Sequence, residues 1–323
     1  MEHVWILASV WVLPALVATL FAIWFKTSTA LTEIVVGVLG QLLALRYWGH
    51  AAGWRRARDG PHFLAGAGAI ILTFLAGAEL DPTCLATRKG EHAAVRIVII
   101  SDVHGNYDAL SALPERYDEL WVLGDLVNYG PEPQEVVDFV KRNAAAVVRG
   151  NHDHSIGYGE DPRCTPRYRD MADATRRYSD SVLTPDQKQL LRNLPVNLRL
   201  RRANKTFYLV HARPSDPLYG YCPADSEEWV REVESVVADV VLVGHTHTPF
   251  IRQIGNSTLV NPGSVGQPKT GKADACYAVW EDGDVELKTY PYPLEKTISK
   301  IRTMPIPPAI QRDLSTVLRT GSV

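Results

Sequence analysis

Residues 97–108 read IVIISDVHGNYD. Ile97 to Ile100 form an unbroken branched apolar run, the pattern of a strand buried on both faces. Ser101 to Asn106 then read as the loop at its carboxyl end. Asp102 and His104 stand two residues apart, so in an extended segment their side chains point the same way. A carboxylate and an imidazole meeting at a strand end suit a divalent metal ion.

The arrangement recurs downstream. Apolar runs ending at Leu123, Val148, Val210, Val243 and Val260 lead into GDLVNYGP (124–131), RGNHDH (149–154), VHARP (210–214), GHTHTP (244–249) and NPGSVGQP (261–268). Ligands of open α/β sheets gather at the carboxyl ends of the strands. Asp102, His104, Asp125, Asn151, His211, His245 and His247 are therefore expected to converge. Two carboxylates, one amide and four imidazoles are too many for one ion and suit two ions sharing a bridge. Each motif alone has a bland explanation. Gly150-Asn151 could serve a turn, His211 could be a satisfied core histidine, and the GHTH pair could bond to carbonyls. Their succession on consecutive strands carries the inference.

Helical patterns lie between the strands. They are Asp108–Tyr117, Pro133–Asn143 with Val136, Val137 and Val140 on one face, and the stretch after the capping box Thr184-Pro185-Asp186-Gln187. Ser226 is expected to cap a helix carrying Trp229, Val230, Val233 and Val237. Residues 277–281 and 284–291, with Asp282-Gly283 between them, read as a β-hairpin.

The chain has 323 residues and a formal net charge of −2, which predicts no general attraction to nucleic acid. Its four cysteines have no CxxC spacing and suggest neither a zinc knuckle nor a disulfide framework. Composition divides the chain into an apolar segment 1–80, a polar linker 81–94 and a domain 95–323. Val4 to Phe25 is uncharged and long enough to span a bilayer core, which takes about 20 residues. Leu31–Trp48, interrupted by Glu33 and Gln41, and Phe63–Ala78 are further candidate spans or else interfacial helices. The expected location is a membrane, with lipid as a partner. Arginine and lysine fall nearly equally on the two sides and do not orient the spans.

Two resemblances sharpen these readings. KTSTALTEIVVGVLG (26–40) and GAIILTFLAGAELDP (68–82) resemble the opening helices of a Kef-like monovalent cation:proton antiporter. That resemblance implies an outside N-terminus and a cytoplasmic domain. It also raises the alternative that the chain is a regulatory or partner subunit of such an antiporter. The ordered motifs DxH, GD, GNHD, H and GHxH resemble the calcineurin-like metallophosphoesterase superfamily. NPGSVGQP followed by ACYAVW is similar to its small bacterial and archaeal phosphodiesterase branch.

The second resemblance implies a four-layer α/β/β/α sandwich, here preceded by a transmembrane helical segment of up to three helices. It implies one metal held by Asp102, His104, Asp125 and His247, and a second held by Asp125, Asn151, His211 and His245. It further implies hydrolysis of a phosphate ester by a metal-bridging hydroxide, with His152 protonating the leaving oxygen or stabilising its charge. Mixed nitrogen and oxygen ligands admit Mn²⁺, placed first, and Fe, Zn²⁺, Ni²⁺ or Mg²⁺. Many relatives carry an acid where this chain has Asn128. Asp153 reads as structural and His154 as a surface residue. Arg213 is either a substrate-phosphate partner or a surface salt bridge. The Gly263-Ser264 turn reads as a tight strand exit, as a source of N–H groups for an anion, or as both. A homo-oligomer is compatible with the sequence, and the substrate is left open among phosphomonoesters and phosphodiesters.

Overall fold

The structure, a computed structural model, describes residues 95–322. The expected membrane spans, the antiporter-like segment and the linker lie outside the described residues. Among those described, no helix is long and apolar enough to cross a membrane.

The first half of the domain runs β1 (Ile97–Ile100), α1 (Tyr107–Ser111), β2 (Glu119–Val122), α2 (Pro133–Asn143), β3 (Ala144–Val147), α3 (Asn151–Tyr158), α4 (Arg169–Val182) and α5 (Pro185–Asn193). The second half runs β4 (Asn197–Arg202), β5 (Lys205–Val210), α6 (Glu228–Glu234), β6 (Val240–Leu242), β7 (Phe250–Ile254), β8 (Ser257–Asn261), β9 (Ala275–Glu281), β10 (Asp284–Tyr290), α7 (Leu294–Ile301) and α8 (Pro308–Thr320). The strands form two mixed five-stranded sheets, ordered β10-β9-β1-β2-β3 and β4-β5-β6-β8-β7. β1, β2 and β3 are parallel, as are β5, β6 and β8, so their carboxyl ends share an edge within each sheet.

Period-two alternation in β1 explains the layering. Ile97 and Ile99 join Trp121, Phe207, Leu209, Leu242 and Trp280 in an apolar layer drawn from both sheets. Val98 and Ile100 face the other way, onto Leu110, Val136 and Val137 of α1 and α2. Phe207 stands edge-on to Trp121 and to Trp280, with ring centroids 4.9 and 5.2 Å apart. Each such buried side chain contributes roughly 1.5–3 kcal/mol. On the far side, Trp229 and Val233 of α6 cover Tyr208, Val241 and Phe250 of the second sheet. Helices α4, α7 and α8 share a further apolar cluster that includes Met171, Ile298, Leu314 and Tyr129.

The Thr184 capping box forms as expected, with Gln187 N–H donating to Thr184 Oγ1 (3.3 Å) and Thr184 N–H to Gln187 Oε1 (3.0 Å). The hairpin turns through Asp282 and Gly283, both at positive φ (52° and 101°), which suits the twist of the flanking strands. Other expectations are corrected. α1 ends at Ser111 instead of reaching Tyr117. The helix after Ser226 starts at Glu228, and Val237, 82% exposed, lies beyond it.

α7 is tied to α1 by charge. Buried Asp108 meets Lys296 and Lys300, each at 2.7 Å, and Lys300 also reaches Glu132 at 2.6 Å. Burial would raise the Asp108 carboxyl, but the two ammonium groups outweigh it and hold it below its ordinary value. A depressed folded-state pKa stabilises the fold above the unfolded value near 4, and the gain is lost as pH falls through the folded value. Asp108→Asn is therefore expected to cost about 2 kcal/mol at pH 7, roughly 5 °C in Tm. The gap from wild type should close below about pH 4 in denaturant titrations followed by circular dichroism.

Candidate metal centre

Both sheets deliver side chains to one place. Asp102 and His104 follow β1, Asp125 follows β2, Asn151 opens α3 after β3, His211 follows β5, and His245 and His247 follow β6. The loops are not extended. Asp102, His104, Asp125, His245 and His247 have φ of 53°, 47°, 55°, 64° and 60°, the left-handed region that costs a non-glycine residue roughly 1–3 kcal/mol. The expectation that Asp102 and His104 align because their segment is extended is thus corrected. They are aimed by a left-handed backbone that hydrogen bonds hold in place. Asp102 N–H donates to Gly124 O (3.0 Å), His104 N–H to Asp125 O (2.9 Å) and Gly105 N–H to Leu126 O (2.8 Å).

The donor atoms gather in two clusters. Asp102, His104 and His247 form one, and Asp125, His211 and His245 the other, with the ligand atoms of each within 4.8 Å of one another. In the first, His104 Nε2 and His247 Nε2 are 3.1 Å apart, and Asp102 Oδ1 is 3.2 Å from His247 Nε2. In the second, His211 Nε2 lies 3.2 Å from Asp125 Oδ2, 3.2 Å from His245 Nδ1 and 3.1 Å from Asn151 Oδ1. Asp125 Oδ2 is also 3.8 Å from His104 Nε2, so this one oxygen stands between the clusters. Donors held about 2.1 Å from a shared cation sit about 3.0–3.4 Å from one another along an octahedral or tetrahedral edge. The spacings match.

Protonation patterns point the same way. His104, His211 and His247 can donate Nδ1–H to the carbonyls of Val127 (3.1 Å), Leu123 (2.7 Å) and Gln267 (2.6 Å). With Nδ1 so engaged, each Nε2 faces the cluster and offers it a lone pair once unprotonated. Asp102 Oδ1 is buried and, among the described residues, accepts no well-directed hydrogen bond. Neighbouring imidazoles, opposed by burial, hold Asp102 and Asp125 well below the usual carboxylate range. Burial resists charge on His211, but Asp125 overcomes it and pushes the ring up to about 9. Burial and His211 drive His245 down to about 3. This donor set fits a pair of divalent cations.

Supporting residues shape the clusters. The buried Asp153 carboxylate accepts N–H groups from Asp125 (2.8 Å), Leu126 (2.8 Å) and Gly150 (3.0 Å), the structural role expected of it. Burial and then Asp125 raise it to about 7. Gly150 is there for space, since a Cβ would lie 2.0 Å from Asp125 Oδ1. His152 is buried and donates its N–H to Asp125 Oδ1 (2.9 Å). Its Nδ1 lies 2.8 Å from the Asn128 amide, and its Nε2 lies 3.5 Å from Cys164 Sγ. Asn128 Oδ1, unpartnered among the described residues, can accept an Nδ1–H after a half-turn of the amide.

Three sequence readings concern residues outside the two clusters. Arg213 is paired with Glu228 and Glu232 of α6, so the salt-bridge reading is the arrangement observed. The Gly263-Ser264 turn is a strand exit. Gly263 N–H goes to Asn261 Oδ1 (2.9 Å), and Ser264 Oγ clamps Asp102 O (2.7 Å). His154 stacks on Tyr158 with centroids 4.5 Å apart, away from both clusters. Sequence reasoning missed Cys164, Tyr168 and Lys269, which surround the site. Only Lys269 had a local signal, its place directly after NPGSVGQP.

Two sheets delivering two carboxylates, an amide and four imidazoles to one place give the donor set of a metal-dependent hydrolase. The chain belongs to the calcineurin-like phosphoesterase superfamily, whose domain profile matches residues 95–283. It is similar to an uncharacterised protein of Methanocaldococcus jannaschii, at 29% identity over 64% of this chain and 91% of that one. It is also similar to the symmetrical bis(5'-nucleosyl)-tetraphosphatase of Vibrio campbellii, at 32% identity over 43% of this chain. That match spans 51% of the Vibrio enzyme. Among solved structures, a metallophosphoesterase from Sphaerobacter thermophilus superposes with a TM-score of 0.59 at 28% identity, covering 68% of this chain and 99% of its own.

Proposed function

We propose that the chain hydrolyses a phosphodiester or phosphomonoester with two divalent ions. Asp102, His104, Asp125 and His247 would hold one, and Asp125, Asn151, His211 and His245 the other. The observation that carries this reading is Asp125 Oδ2, 3.2 Å from His211 Nε2 of its own cluster and 3.8 Å from His104 Nε2 of the other. When bound, such a pair supplies Lewis acidity that activates water and neutralises phosphoryl charge. The chain's own residues do the positioning. Backbone carbonyls fix the histidine tautomers, Asp153 holds the Asp125 turn, and His152 stands at the edge of the clusters to hold a proton for the leaving oxygen.

The partial match to tetraphosphatases makes a dinucleoside polyphosphate the first natural substrate to try, beside aryl diesters. Mn²⁺ is the metal to supply first. Residues 1–80 are proposed to anchor the domain at a membrane. The support is the uncharged run Val4–Phe25. The test is metal analysis of the purified full chain, with a panel of diadenosine tetraphosphate, bis(p-nitrophenyl) phosphate and p-nitrophenyl phosphate. Two ions per chain and chelator-sensitive hydrolysis are expected. A chain that binds no divalent ion and cleaves nothing on the panel overturns the reading.

A further inference from the structure

Lys269 is a cation beside the two clusters with no anion of its own among the described residues. Its main-chain N–H donates to the carbonyl of His247 (3.4 Å), so its backbone is tied to a cluster histidine. Its ammonium lies 4.9 Å from the centroid of the Tyr168 ring. Among the described residues that ammonium makes no side-chain hydrogen bond and no ion pair, although the residue is half-buried. Lys296 and Lys300 differ, since each is matched to Asp108. Burial lowers the Lys269 ammonium from its ordinary value, with Asp102, Cys164 and Asp125 opposing. A buried cation is costly unless an anion meets it. The nearby Asp102 and Asp125 carboxylates are already turned to His247 and His211.

Tyr168 is itself fixed to the site. It ends the segment 159–168, which accepts the Asn151 amide at Pro162 O (2.8 Å) and sets Cys164 against His152. The same segment places Arg163 4.3 Å from the Tyr219 ring centroid, a second cation on an aromatic face. An aromatic ring holds a cation in place without neutralising it, which leaves its charge available to a ligand.

We propose that Lys269, steadied on Tyr168, binds a phosphate oxygen of the substrate that the two clusters do not engage. The inference rests on the phosphoesterase reading above, and it concerns substrate binding, not metal retention. A lysine matches a phosphate oxygen as a point charge. With both carboxylates committed to cations, an arriving phosphate is the partner left to it.

The test uses the full chain with Lys269→Met, Lys269→Gln, Lys269→Arg and Tyr168→Leu. KM and kcat are read on whichever panel substrate the wild type cleaves. Inhibition by inorganic phosphate, and its calorimetric binding to metal-loaded protein, are read alongside. Lys269→Met is expected to raise KM and to weaken phosphate binding about tenfold or more. Metal content should stay at the wild-type level. Lys269→Arg should recover most of the affinity, and Tyr168→Leu should weaken it in the same direction by a smaller factor. Lys269→Gln replaces the methionine variant if the latter does not fold. KM and phosphate affinity within twofold of wild type in the neutralised variant overturn the proposal, as does loss of metal there. If the wild type binds no divalent ion and cleaves nothing, the phosphoesterase reading fails by itself; if it binds ions but cleaves nothing on the panel, phosphate calorimetry alone decides the role of Lys269.

Discussion

Asp125→Asn is expected to remove metal from both clusters and to lower turnover roughly a thousandfold. The substitution is isosteric, and the new amide oxygen can keep the hydrogen bond that Asp125 Oδ1 accepts from His152 N–H (2.9 Å). Circular dichroism should therefore report an intact fold. What changes is Oδ2, which lies between His104 Nε2 and His211 Nε2 at 3.8 and 3.2 Å. An NH₂ there offers a donor and no charge to the place where two cations would meet. Asp102→Asn, by contrast, alters only the cluster of Asp102, His104 and His247 and should spare one ion. Elemental analysis separates the cases, with near two ions per chain in wild type, about one in Asp102→Asn and fewer in Asp125→Asn. Full metal content in Asp125→Asn, with activity within tenfold of wild type, would sink the shared-carboxylate assignment. Loading should also be proton-linked. Without metal, Asp125 pushes His211 up to about 9, so below that pH an ion must displace a proton. Metal affinity is thus expected to rise with pH in this range.

Much of this centre was legible in the sequence because metal ligands must be particular residue types at strand ends. Ile97–Ile100 told of a strand covered on both sides, and its alternating partners in two apolar layers bear that out. Spacing alone did not give direction. Asp102 and His104 point together because of left-handed φ, which aspartate and histidine adopt more readily than most residues but not often enough for their spacing to announce it. The GNHD stretch reads as a loop by its metal motif, yet Asn151 already belongs to α3. Asp153 capturing the Gly150 N–H at 3.0 Å is a helix-start signal of the kind read correctly at Thr184. α4 escaped for another reason. Its inward face is Met171, Ala172, Ala174, Thr175 and Ser179, too small and polar to raise a clear apolar period among its charges. Lys269 and Tyr168 are far apart in sequence and meet only through the fold.

His152→Asn should separate proton donation from metal binding. Its Nε2 is in neither cluster, so the variant is expected to keep its ions. Loss of a positioned acid costs roughly a hundredfold or more when the leaving oxygen needs a proton. It costs little when the leaving group is stable as an anion. The fall in kcat should therefore be large for an alkyl ester and small for p-nitrophenolate. A plot of log kcat against leaving-group pKa should become steeper in the variant. Burial drives His152 down to about 4, with Asp125 opposing. An entering phosphate, itself an anion, favours the protonated ring. Asn128 cannot add to that as an acid would. It lies 2.8 Å from Nδ1 and carries no charge, so Asn128→Asp should raise the His152 pKa. A general acid works while protonated, so the alkaline loss of activity should then move to higher pH. Equal losses in His152→Asn across all leaving groups, or loss of metal with activity, would assign His152 to holding Asp125 through its backbone neighbourhood instead of to the leaving oxygen.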